Sequence, residues 1–307
     1  MPELSADKKW YTQFCDGMET PLKRTLAGLI RLTRFDEYGY FVVITTLLGI
    51  AAARGVFNAR LVVALLANWL AVSFAYMVND IEDAPDDAFS IKNCHRNPVS
   101  NGMISPKTAK IATMIVALLA AGFYAFLGWW PFILGVTSLL LGIMYSLKTI
   151  RLKTMAMISL ISRGLMLAGL PFLCGYFAFT STLNRIWFWP FLFVMSISVF
   201  YAHQDEDKLD RGERITGLMV TLTGILIVST GVVSFFLIEL IPAWVMLTIS
   251  GLVVICILPP YLKMRRSGVD EPLRCLIIST FERSFAIGLM LQFFLPWLSQ
   301  LIHLRWF

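Results

Sequence analysis

LVVALLANWLAVSFAYMVNDIEDAPDD, residues 61–87, decides the fold. Leu61 to Val78 carry no charge at all, and then Asn79 leads into five acids: Asp80, Glu82, Asp83, Asp86 and Asp87. An uncharged run of this length is close to the ~20 residues a helix needs to cross the hydrocarbon of a bilayer. Working outward, similar runs recur at 38–56, 61–79, 108–128, 130–146, 155–179, 186–203, 216–236, 241–262 and 277–298. The third and fourth are separated only by a tight turn at Gly128–Pro131. Hydrophobic residues make up 57% of the 307 and charged residues 15%, against about 25% charged in an ordinary soluble domain. The mean hydropathy is +0.71. One soluble core could not hide that much apolar surface. The expectation is an all-α polytopic membrane protein of nine transmembrane helices, forming a single domain over 1–307 with no Gly/Ser-rich or Pro-rich linker.

Residues 1–37 are charged throughout and do not read as a signal peptide. Within them, 21–35 interleaves Leu22, Leu26, Leu29, Ile30 and Leu32 with Lys23, Arg24, Arg31 and Arg34. That pattern reads as an interfacial amphipathic helix or as a cytosolic lead-in to the first span. With the N-terminus inside, the inner segments hold 20 of the 26 Lys and Arg, and the outer ones hold Arg54, Arg60, Arg185 and Arg305. The positive-inside rule therefore places the N-terminus in the cytoplasm and the C-terminus on the opposite side. Trp129, Trp130, Trp187, Trp189, Trp244, Trp297 and Trp306 fall near the outer ends, as an interfacial belt would. The net charge of +6 is explained by this topology and by anionic lipid; neither nucleic acid nor a protein partner is indicated. Five scattered cysteines and three distant histidines suggest neither a disulfide framework nor a zinc site.

Half of the 20 acids occupy two short segments, Asp80–Asp87 and Asp205–Glu213, each at the expected cytoplasmic end of a span. Asp80, Asp83 and Asp87, at i, i+3 and i+7, should share a helix face, with Pro85 ending or bending that helix. Clustered carboxylates repel one another unless a cation sits among them, and carboxylates without thiolates favour Mg²⁺ before Ca²⁺. Bases are interleaved: Lys92 and Arg96 after the first cluster, and Lys208, Arg211 and Arg214 in and after the second. Acids for a metal and bases for phosphate oxygens together describe a pyrophosphate site; the plainer alternative is a pair of solvated loops. Arg163 and Glu282–Arg283 lie inside spans, where charge tends to face a cavity or a partner. Two readings stand there, a bracing Arg163–Glu282 ion pair and an acceptor-recognition group.

Several ordered motifs resemble the UbiA superfamily of intramembrane prenyltransferases. Asn79–Asp87 is similar to its first aspartate-rich motif, N-D-x-x-D-x-x-x-D. Arg96 to Ser105 (RNPVSNGMIS) resembles R-P-x-x-S-G-x-I-S with Asn97 inserted, and Tyr145-Ser146 with Arg151-Leu152-Lys153 resembles Y-S…R-L-K. The second motif, usually D-x-x-x-D, is filled here by Glu206 and Asp210, beside Asp205 and Asp207. The R-P pair common before the first span is Arg34-Phe35.

The resemblance implies nine helices around a central apolar cavity with a cytoplasmic polar cap. It implies Mg²⁺ held by Asp80, Asp83, Asp87, Glu206, Asp207 and Asp210, beside Asn79. Lys92, Arg96, Lys148, Lys153, Lys208 and Arg211 would hold the diphosphate, and Tyr145 would bond the diphosphate or shield an allylic cation. The implied reaction moves a prenyl group from an allylic isoprenyl diphosphate to an aromatic or lipid acceptor within the bilayer. A membrane terpene cyclase using the same acids and a non-enzymatic transporter are the alternatives.

Overall fold

In the computed structural model, which describes residues 21–203, 217–267 and 271–303, the chain is helical wherever the apolar runs predict it. An amphipathic helix α1 (Pro21–Leu32) leads to α2 (Phe35–Ala52), α3 (Ala59–Asp87), a short α4 (Ile91–Arg96), α5 (Pro106–Leu127) and α6 (Trp129–Ser146). Then come α7 (Ala156–Gly164), a π-helical stretch (Leu165–Gly169) and α8 (Leu170–Phe177), which run as one rod. The bundle is completed by α9 (Phe188–His203), α10 (Gly217–Val232), α11 (Ala243–Ser267) and α12 (Glu271–His303). Among the described residues, six helices are long and apolar enough to cross a membrane. Three shorter apolar helices, Phe188–Phe200, Thr221–Leu237 and Ala243–Pro259, stand where the other three spans are expected. The protein is an integral membrane protein.

Local chemistry sets the ends. Asn58 caps α3 by accepting from the amides of Arg60 (2.9 Å) and Leu61 (3.3 Å), and Ser105 caps α5 through Thr108 N (3.0 Å), with Pro106 in the first turn. Gly128 alone joins α5 to α6 at φ 124°, a backbone state that side chains avoid. One expectation fails here. Pro85 does not end α3 where it stands but lies inside it, two residues before the last residue, Asp87. Proline removes a single intrahelical bond, that to Ile81 O, and side chains from beyond α3 add bonds on either side of it: Asn97 Nδ2 donates to Asp80 O at 2.7 Å and Ser100 Oγ to Ala84 O at 3.0 Å.

Apolar burial discriminates poorly between helix pairs in a bilayer, so close approach and polar bonds do more of the specifying. Asn68, fully buried, is the hub. Its Nδ2 donates to Thr46 Oγ1 (2.9 Å) and Pro171 O (3.0 Å), and its Oδ1 accepts from Tyr124 OH (2.8 Å), which ties α2, α3, α5 and α8. Gly49 of α2 faces Phe172 O and Gly175 of α8 faces Thr46 O, so these helices pack almost backbone to backbone. The π-helical stretch precedes Pro171, whose missing N–H leaves a carbonyl one turn earlier without its usual donor.

Candidate active site

The acid-bearing end of α3 opens into a cavity of about 550 Å³. On α3 its wall is Val72, Ala75, Tyr76, Asn79, Asp83, Asp86 and Asp87, a spacing of three and four residues that defines one helix face. From Asp87 to Val72 is fifteen residues, or about 22 Å at 1.5 Å per residue. Over that depth the lining changes from carboxylates to Val72 and Ala75, facing Met166 and Leu167 of the π-helical stretch. Arg34, Glu37, Arg96, Tyr145, Arg151, Lys153, Thr154, Ser159 and Arg163 complete it.

Ion pairs organise the rim. Lys153 Nζ lies 2.5 Å from Asp83 Oδ2 and 3.0 Å from Asn79 Oδ1. Arg151 reaches both Asp83 Oδ1 and Asp86 Oδ2 at 3.5 Å. Arg96 grips Glu37 through two hydrogen bonds. Desolvation works against the Arg96 charge, but the bound carboxylate prevails and raises its pKa above the ordinary guanidinium value. Ser146 Oγ donates to Asn79 Oδ1 (3.3 Å), and Tyr145 OH is 3.4 Å from Ser159 Oγ.

The expected residues separate on inspection. Asn79, Asp83, Asp87, Arg96, Tyr145 and Lys153 all line the cavity. Lys148 does not; it sits half-exposed further out, 3.7 Å from Asp86. Asp80 is not on the wall either. Its carboxylate is fully buried and paired with Arg34, which donates from both Nε (3.1 Å) and Nη2. The shared face expected for Asp80, Asp83 and Asp87 is therefore corrected at Asp80: the face is that of Asn79, Asp83, Asp86 and Asp87. At 100° per residue Asp80 stands off its centre, where the first-span arginine meets it. Lys92 lies on α4, with its side chain outside the description. Glu206, Asp207, Lys208, Asp210 and Arg211 lie outside the described residues.

Sequence reasoning missed Arg34, Glu37, Asp86, Arg151 and Asn97 as parts of the site. Asn97 is fully buried; besides Asp80 O, its Nδ2 donates to Asp87 Oδ2 (2.9 Å), which fixes that carboxylate. A signal existed for Arg34, since an arginine entering a span requires a partner and α3 carries an acid surplus at the same face.

The oxygen set suits a hard cation. Asn79 Oδ1 and Asp83 Oδ2 already converge on one positive group, the Lys153 ammonium, and among the described residues neither thiolate nor imidazole lines the cavity. Among the described residues no three His, Cys, Asp or Glu side chains gather closely enough to cage a metal. A Mg²⁺ here fits as an ion shared with another ligand, the way Mg²⁺ commonly binds beside phosphates.

Fold and cavity together define an intramembrane protein whose polar, ion-paired mouth opens onto an apolar interior. Its family profile is that of the UbiA prenyltransferase family, matched over residues 42–279, and the chain belongs to that family. No curated protein matches the sequence. Among solved structures, a UbiA homolog from Archaeoglobus fulgidus bound to GPP and Mg²⁺ is 16% identical, with TM-score 0.57 over 86% of this chain and 98% of that one. Another structure, described as a UbiA homolog from Archaeoglobus fulgidus, is 18% identical, with TM-score 0.57 over 89% of this chain and 98% of that one. A structure described for digeranylgeranylglyceryl phosphate synthase is 15% identical, with TM-score 0.56 over 86% and 98%. These likenesses show the fold.

Proposed function

We propose that this protein is a Mg²⁺-dependent prenyltransferase that moves a prenyl group from an allylic isoprenyl diphosphate to an aromatic or lipid acceptor inside the membrane. The observation that carries the reading is the gradient within one cavity, from Asp83, Asp86, Arg151 and Lys153 at the mouth to Val72, Ala75, Met166 and Leu167 at depth. A diphosphate with an apolar tail has the same gradient.

Asn79, Asp83 and Asp87, with Glu206, Asp207 and Asp210 of the second cluster, would hold the metal. Bound there, Mg²⁺ would neutralise the diphosphate and so favour its departure. Lys153 and Arg151 would turn from carboxylates toward phosphate oxygens, whose charge grows as the C–O bond breaks. Cations placed in advance stabilise that state more than the ground state. Arg96, Lys92 and Lys148 would extend the cationic rim, with Lys208 and Arg211 facing them from the second cluster. Tyr145 would sit beside the allylic carbon, and the apolar depth would keep water from it. Asp80 acts differently, as a positioning residue: through Arg34 it fixes the start of α2 and with it Glu37 and Arg96. The inward excess of basic residues supports a cytoplasmic mouth.

The test is to incubate purified protein with Mg²⁺ and allylic diphosphates of several lengths, with membrane extract as acceptor source. A prenylated acceptor in the product mass spectrum, lost in excess EDTA and restored by Mg²⁺, is the expected result. A cyclised hydrocarbon would make the protein a cyclase. No diphosphate release would refute both enzyme readings.

A further inference from the structure

Helix α1 carries three kinds of surface. At about 100° per residue, Gly28 and Leu32 share one sector, Leu22, Leu26 and Ile30 a second, and Lys23 and Arg31 a third. The first sector is docked. A methyl group on Gly28 would come within 2.6 Å of Ile104 Cγ2, and Leu32 is fully buried in a cluster with Met77, Val99, Ile104 and Ala109. Arg24 Nη2 adds a hydrogen bond to Gly102 O at 3.4 Å. These contacts seat α1 against α3, the turn after α4 and the start of α5.

Among the described residues nothing covers the second sector. Leu22, Leu26 and Ile30 are 70%, 51% and 68% exposed. Their surroundings follow from depth. Leu29 and Leu32 belong to one cluster with Ala112 and Val116, which stand about 9 and 15 Å along α5 from its first residue. At that level the outer face of α5 is Ile111, Met114, Ile115 and Leu118, all exposed and apolar, on a helix long and apolar enough to cross a membrane. The stripe on α1 therefore abuts side chains that face lipid.

The third sector is cationic. No acid occurs from Pro21 to Phe35 or from Ala88 to Leu127. Lys23 and Arg31 of α1 and Lys107 and Lys110 of α5 are exposed, and the last three make no ion pair among the described residues. A leaflet containing anionic lipid attracts such a group within a Debye length of its surface. A second copy of this chain seated on the stripe would instead bring the same cations together.

We propose that α1 is a docking face for anionic lipid in the leaflet on the side of the cavity mouth. Leu22, Leu26 and Ile30 enter the boundary of the acyl chains, and Lys23 and Arg31, with Lys107 and Lys110, meet lipid phosphates. The contact bears on the acidic cavity. Thr33 alone separates Leu32 from Arg34, and Val99, packed with Leu32, donates its N–H to the same Asn97 that holds Asp87. The inference goes beyond prenyl transfer and does not depend on it.

The test places the full-length protein in vesicles of phosphatidylcholine, with or without phosphatidylglycerol of the same chain length. Hydrogen exchange of the α1 amides, followed by mass spectrometry, should slow at least fivefold when phosphatidylglycerol is present, and high salt should remove the difference. Lys23→Gln combined with Arg31→Gln should exchange as the wild type does in phosphatidylcholine and lose the response to phosphatidylglycerol. Leu22→Ser combined with Ile30→Ser should exchange faster in both vesicles. Unchanged exchange in α3 and α5 shows that the variants fold. Lys107→Gln with Lys110→Gln, on another helix, should weaken the response and keeps the test open if the α1 variants do not fold. Protection that follows the protein-to-lipid ratio instead of lipid charge would mean that a second copy covers the stripe. That result, equal exchange in the two vesicles, or an unchanged response in the charge variants would overturn the proposal.

Discussion

Asp80→Ala should weaken the protein itself rather than its grip on metal. The Asp80 carboxylate is fully buried and its partner Arg34 is only 9% exposed. Removing one member of a buried ion pair typically costs about 3–5 kcal/mol, because the other charge is left without compensation. Here Glu37 lies 3.8 Å from Arg34 and would absorb part of that charge, so the lower end, about 3 kcal/mol, is expected. Arg34→Met should cost somewhat less, since an unpaired buried carboxyl can take up a proton. Arg34→Met combined with Asp80→Leu should recover to within about 1 kcal/mol of wild type, the two losses being one interaction. Unfolding by denaturing detergent in mixed micelles, followed by tryptophan fluorescence, measures each value. Mn²⁺ titration by electron paramagnetic resonance measures the metal separately. Asp83→Asn is the comparator: it should lower metal affinity at least tenfold while leaving stability within about 1 kcal/mol. An Asp80→Asn protein of wild-type stability with a tenfold loss of Mn²⁺ affinity would refute the argument and put Asp80 on the metal.

Asp83→Ala and Asp210→Ala should each reduce turnover severely, yet the double variant should lose far less than the product of the two, because both act on one transition state; a multiplicative loss would show two separate sites. Asn97→Ala removes hydrogen bonds to Asp80 O and Asp87 Oδ2 and the turn bond from Val99 N, so a loss of about 2–4 kcal/mol in the same unfolding assay is expected. Gly49→Ala would drive a methyl group into the backbone oxygen of Phe172, which cannot rotate away, and should lower stability by about 3 kcal/mol or prevent accumulation in the membrane; wild-type yield and melting would show that α2 and α8 can separate without cost.

The spans were legible because the bilayer imposes a length and an absence of charge that single residues report directly. Trp129–Ser146, expected at 130–146, is an example, and the interruption at Gly128 follows from one glycine. The family was legible because its motifs are local: Asn79 to Asp87, Arg96 to Ser105, and Arg151 to Lys153 are each a continuous string. Pro85 was placed too early as the end of α3 because proline costs only one intrahelical bond, while Asn97 and Ser100, distant from it in sequence, tie the same stretch through Asp80 O and Ala84 O.

What sequence could not supply is which acid meets which base. The cluster Asp80–Asp87 announces a surplus of negative charge, but assigning roles by i, i+3 and i+7 spacing treats every carboxylate as facing the same way. Asn79, Asp83 and Asp86 differ from Asp80 by one step of helical phase, and that step separates a cavity wall from a buried contact with the first span. Arg34 and Arg151, though quoted in the motifs, were not assigned to the site for a related reason. Each has a left-handed backbone, a state that glycine usually fills, and no spacing in the sequence announces a partner for a charge placed there. Because the backbone holds these side chains in a disfavoured state, their place in the acidic site must be secured by partners in space: Asp80 for Arg34, and Asp83 with Asp86 for Arg151. In this chain a charge held in a left-handed backbone thus marks two cavity residues, Arg34 and Arg151, that the spacing of the acidic cluster does not point to.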